Sequence, residues 1–107
     1  QAIDYYRQSL EIAQKIDHQS GQANILCNLG AALIRLEKYP EAWSNLQAAL
    51  QICLDTNNYY LAANTMQNIA AVCLKIGEQD LALQFCDRGC EASRQTQRTL
   101  RVIALWL

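Results

Sequence analysis

One register runs through this chain at a spacing of forty residues, and a chain written that way folds as a stack of like units rather than around one private core. Ala2, Ala42 and Ala82 mark the register, and the stretches they open agree in pattern: Ala2-Ile3-Asp4-Tyr5-Tyr6, Ala42-Trp43-Ser44-Asn45-Leu46 and Ala82-Leu83-Gln84-Phe85-Cys86. Upstream, Leu26, Leu29, Gly30 and Leu33 answer to Met66, Ile69, Ala70 and Cys73 with the same offset, and Trp106 falls forty residues after Met66.

Each period carries two apolar stripes at spacings of three and four, the pattern of two amphipathic helices. The first helix is expected over residues 21–36 and again over 59–76; the second over 40–56 and 79–96, with an earlier copy over 1–16. Pro40 belongs in a first helical turn, which needs no N–H donor there, and Asp80 places a carboxylate near a positive helix end. Gly77 suits a left-handed C-cap, and Asp17-His18-Gln19-Ser20 and Asp55-Thr56-Asn57-Asn58 read as polar turns. With only four Gly, one Pro and 7% aromatic residues, composition favours helix over a many-stranded sheet. Gly30 and Ala70 fall mid-helix on the apolar face, opposite Ala42 and Ala82. A close helix crossing accounts for them, with residues 26, 33, 46 and 50 filling the space around it.

The run Leu26-x-x-Leu29-Gly30-x-x-Leu33, then Tyr39, then Ala42-x-x-x-Leu46, resembles a tetratricopeptide repeat. Met66-x-x-Ile69-Ala70-x-x-Cys73 with Ala82-x-x-x-Cys86 resembles it more loosely, and Trp106 stands where the family often has Trp. The resemblance implies an all-α fold, a right-handed superhelix of antiparallel helix pairs (an α-solenoid), over the whole chain. Residues 1–17 would be the second helix of one repeat, 21–58 and 59–97 two repeats, and 98–107 the start of the next, a segment of a longer array. The forty-residue period exceeds the family's usual value of about 34. The slot near the end of the second helix, often Pro in the family, holds Gln14, Leu54 and Arg94. Both departures are similar to the long-repeat branch found in kinesin light chains, spindle-orientation adaptors and bacterial signalling proteins.

In such a superhelix the first helices line a concave groove that binds partners. With Leu26, Leu29 and Leu33 inward, Asn24, Asn28, Ala31 and Arg35 fall toward the other side, repeated by Asn64, Gln67, Asn68, Ala71 and Lys75. An amide both donates to and accepts from a peptide backbone, so rows of Asn can hold an extended segment without reading its side chains; in the family, positions matching Asn28 and Asn68 commonly do so. The same amides can instead bond the neighbouring repeat. Arg35 and Lys75 suit either an acidic partner or simply the negative end of their helices. The Lys and Asn constellation by which chaperone-adaptor members clamp a C-terminal carboxylate is not recognisable, so binding of chaperone tails is not expected.

No catalytic or metal site is expected, and no cofactor. His18, the one histidine, reads as a loop residue. Cys86 and Cys90 share the register of Leu46 and Leu50 and are expected in the core, leaving Cys27 as the thiol facing the groove. Five cysteines at irregular spacing argue for reduced, buried thiols in the cytoplasm rather than a disulfide framework. A net charge of −1 argues against nucleic acid. The uncharged run 56–74 carries too many amides for a membrane span. The expectation is a non-enzymatic interaction module binding a peptide segment or partner helix in the groove. The alternative is a spacer or self-association scaffold, joined through exposed end helices, within a larger multidomain signalling protein.

Overall fold

The computed structural model describes residues 2–106, with the side chains of Ala2, Thr99, Ile103 and Trp106 outside the description, so the family slot assigned to Trp106 lies outside the described residues, as do Gln1 and Leu107. The described chain is all α: α1 (Ala2–Lys15), α2 (Gln19–Arg35), α3 (Tyr39–Asp55), α4 (Tyr59–Lys75) and α5 (Gln79–Trp106). The helices pack in sequence as antiparallel neighbours, and α4 also touches α2.

The breaks between helices recur with the regularity of the sequence register. Asp17, Glu37, Asn57 and Gly77, each twenty residues after the last, take positive φ. At each one, the N–H of the next residue donates back to the carbonyl five before it, as in Lys38 to Leu33 (2.9 Å) and Asn58 to Cys53 (2.9 Å). A second bond, Glu37 to Ile34 (3.0 Å) for example, completes a Schellman motif that satisfies the last carbonyls of the helix. Gly77 was legible as such a cap; Glu37 was not, because glutamate has no particular tolerance of the left-handed region. The next helix then starts with little delay. His18 accepts the Gly21 N–H at Nδ1 (2.9 Å), which makes it an N-cap as well as an exposed turn residue. Asn58 Oδ1 accepts from Leu61 N–H (3.2 Å), and Pro40 occupies the first turn of α3.

The core is the one the register predicts in the middle of the chain. Leu26, Leu33, Leu46 and Leu50 are buried, with Ala42 and Ala82 among them. Gly30 marks the close crossing: a Cβ built there would lie 2.6 Å from Leu46 Cγ. Around the second helices, Trp43 and Phe85 meet edge to face at 6.2 Å, and the Arg88 guanidinium lies 5.1 Å from the centre of the Phe85 ring.

Two features depart from expectation. Residues 98–106 continue α5 without a break, with no turn where the next repeat was expected to start. The Arg94–Arg101 stretch has no Gly, Pro, Asn or Asp to stop it. Second, Cys86 and Cys90 are exposed rather than in the core. Their counterparts Leu46 and Leu50 are buried on α3, which packs against both α2 and α4, whereas among the described residues α5 packs against α4 alone.

Candidate functional site

The expected binding residues fall on two parallel helices in direct contact, α2 and α4. Spacings of four, three and four put Asn24, Asn28, Ala31 and Arg35 in one stripe along α2, and Asn64, Asn68, Ala71 and Lys75 in its image along α4. Asn24, Asn28, Arg35, Asn64, Gln67 and Lys75 are exposed; Ala31, Asn68 and Ala71 are half-buried. The stripes therefore offer amide groups toward one end and a cation at the other, with small side chains between.

The amides are not equivalent. Asn68 Nδ2 donates to Cys27 Sγ at 3.6 Å, so this asparagine is partly engaged in joining α4 to α2, the second of the two roles open to it. Asn24 Nδ2 makes only a long bond to its own helix, to Ser20 O at 3.4 Å, and an incoming backbone carbonyl can take that donor over. Asn64 and Gln67 are brought together on one wall of an open cavity of about 340 Å³ whose other wall is α5, through Ser93, Thr96, Gln97 and Leu100. Asn24, Asn28, Asn68, Arg35 and Lys75 are not part of that cavity.

Cys27 does not face the groove. It is buried, with Thr65 Oγ1 3.6 Å from its sulfur and Asn68 alongside. The reason is again a neighbour: α4 lies over the position, which its counterpart Gln67 on α4 keeps open. Thr65 itself escaped the sequence reading. It is fully buried and satisfied by donating to Leu61 O at 2.7 Å, and it lies against Cys53 as well as Cys27. Burial pushes the Cys53 thiol up, Cys27 adds to the rise, and the Thr65 bond opposes it; Cys73 is also raised, by burial and by Glu78. A thiol held neutral is a poor nucleophile and a poor metal ligand.

Among the described residues, no three His, Cys, Asp or Glu side chains gather as metal ligands, and no helix is long and apolar enough to cross a membrane. Surface charges pair locally: Arg7 reaches Glu41 on α3 (3.6 Å), and Glu91 holds Arg94 (3.1 Å) and Arg98 (3.8 Å). The family model described as tetratricopeptide repeat matches the chain twice in overlapping register, over residues 1–54 and 21–95. No curated protein and no solved structure matches the chain.

Proposed function

Because the chain belongs to the tetratricopeptide repeat family, whose members are generally protein-interaction modules and typically not catalytic, we propose that it binds an extended peptide along α2 and α4 without catalysing a reaction. The observation that carries this reading is the direct contact of α2 with α4, the two helices that carry the amide stripes, with Asn24, Asn28, Asn64 and Gln67 exposed. Asn24 and Asn28 on one helix and Asn64, Gln67 and Asn68 on the other bond the peptide backbone; Arg35 and Lys75 attract an acidic group at one end. The recurrence of helix breaks at twenty-residue intervals supports placing the chain in the long-repeat branch of the family. As a second reading, the uncovered face of α5 favours a scaffold that associates with its own kind.

A displayed random-peptide library supplies the ligand for a test. Calorimetry on the best binder should show affinity falling roughly a hundredfold when Asn24→Ala, Asn28→Ala and Asn64→Ala are combined, at about 1 kcal/mol for the net hydrogen bond each amide makes. The melting temperature should not move. Unchanged affinity in that triple variant, or tolerance of N-methylation along the peptide backbone, would falsify the groove.

A further inference from the structure

We propose that a cavity where α3, α4 and the start of α5 meet binds a short proline-rich segment carrying a Lys or Arg. The cavity is open, holds about 660 Å³, and includes no residue of either amide stripe. Tyr39 and Trp43 on α3, Val72 and Ile76 on α4, and Leu81 on α5 supply apolar walls, with Glu78, just ahead of α5, the one charged residue among the described lining. Val72 is buried, both rings are half-buried, and Ile76 and Glu78 are exposed. The repeat as such does not call for this lining: in the forty-residue register Trp43 answers to Ile3 and Leu83, and Glu78 to Lys38. A large apolar cavity with a few polar groups is the usual form of a binding site.

The dimensions select the kind of chain. The lining runs from Tyr39 to Ser44 on α3 and from Val72 to Ile76 on α4, about 6–8 Å of helix at a rise of about 1.5 Å per residue. Trp43 also meets Phe85 edge to face at 6.2 Å, and the two rings join α3 to α5 one turn past Leu81. A docked helix is held through anchors spread over about 10 Å and is itself about 10 Å across, whereas an extended segment at about 3 Å per residue fits two or three residues here.

The polar groups select its composition. The helical walls use their backbone groups in their own bonds, the turn amides of Gly77 and Glu78 donate to Leu74 O and Cys73 O, and Ser44 Oγ donates to Pro40 O at 3.2 Å. What remains is the Trp43 indole N–H and the Tyr39 hydroxyl, neither of them hydrogen-bonded among the described residues, and the Glu78 carboxylate. A segment laid here finds donors for its carbonyls but few acceptors for its N–H groups. Proline has no N–H to leave unpaired, holds the chain extended beforehand and suits an aromatic-lined groove. Glu78 pairs with no cation among the described residues and matches a Lys or Arg beside the prolines. Of the charges flanking the lining in the chain, Lys38 and Lys75 stand against Glu37, Glu41 and Asp80, with Glu41 held by Arg7, while Arg88 lies over the Phe85 ring.

A fluorescein-labelled peptide of one lysine followed by five prolines tests this by anisotropy, with Trp106→Phe in the background so that Trp43 carries the only indole. Saturable binding is expected, with the single indole N–H resonance moving during the titration. Trp43→Phe keeps a ring and loses the donor, and should weaken binding about fivefold, the worth of one net hydrogen bond. Glu78→Gln should weaken this peptide about threefold and leave a peptide with glutamine in place of its lysine unaffected. The groove variant combining Asn24→Ala, Asn28→Ala and Asn64→Ala should bind the proline peptide as the parent does, which separates this site from the groove. No saturable binding, an indole resonance that stays in place, equal binding of a peptide with alanine for proline, as a docked helix would give, or loss of binding in the groove variant overturns the proposal.

Discussion

The pair α2–α3 and the pair α4–α5 share one register, yet some equivalent positions in them have opposite environments. Leu46, Leu50 and Cys53 are buried on α3, which has a helix packed on either side of it; Cys86, Cys90 and Ser93 are exposed or half-buried on α5, which among the described residues packs against α4 alone. The same holds on the first helices, where Cys27 is covered and Gln67 is open. Stability in a stack of repeats belongs to interfaces between neighbours as much as to each repeat, so a register position carries a fixed orientation but no fixed degree of burial. The residue types follow the difference in part: the facing positions 30 and 46 are Gly and Leu in one pair, and 70 and 86 are Ala and Cys in the other.

The sharpest way to break this comparison is truncation at matched sites. Leu46→Ala, which empties a fully buried site, should cost about 3 kcal/mol in urea denaturation, whereas Cys86→Ala should stay within about 0.5 kcal/mol. Equal losses would mean that the two repeats are packed alike. Glycine tests the same contrast at smaller scale. Gly30→Ala drives a methyl to within 2.6 Å of Leu46 and should destabilise by about 1–2 kcal/mol despite alanine's better helix propensity. Gly89→Ala meets nothing closer than Ala63 O at 3.4 Å, so propensity should leave it neutral or slightly stabilising.

The smallest effects belong to the thiols. In dilute solution an alkylating reagent should modify Cys86 and Cys90 at once, and Cys27, Cys53 and Cys73 only as the chain unfolds. Cys53 and Cys73 hold their protons more tightly folded than unfolded. Their contribution is therefore intact below the ordinary thiol value of about 8.5 and declines as pH rises above it. A melting temperature that rises from pH 8 to 10 on account of these two thiols would contradict the burial assigned to them.

Much of the fold was legible because its signals are local. Apolar spacing located the helices, Pro40 and Gly77 marked a start and a stop, and Gly30 announced the close crossing with its partner helix. The candidate stripe was legible for the same reason, since Asn24, Asn28 and Arg35 follow from helical periodicity once Leu26 and Leu33 are turned inward. Asn68, Cys27 and Thr65 were not separable that way. Their roles depend on which helix lies over them, and no short window of sequence contains that neighbour.

By itself, the sequence determined the period, the pairing of helices and the stripe of amides, because backbone preference and side-chain direction are set within a few residues. Only the tertiary structure decided that α5 runs unbroken through Gln97, that Cys27 is covered and that Cys86 and Cys90 are bare. Burial is a relation between segments distant in sequence. Two positions with the same local pattern acquire different environments when one has a helix packed over it and the other has water.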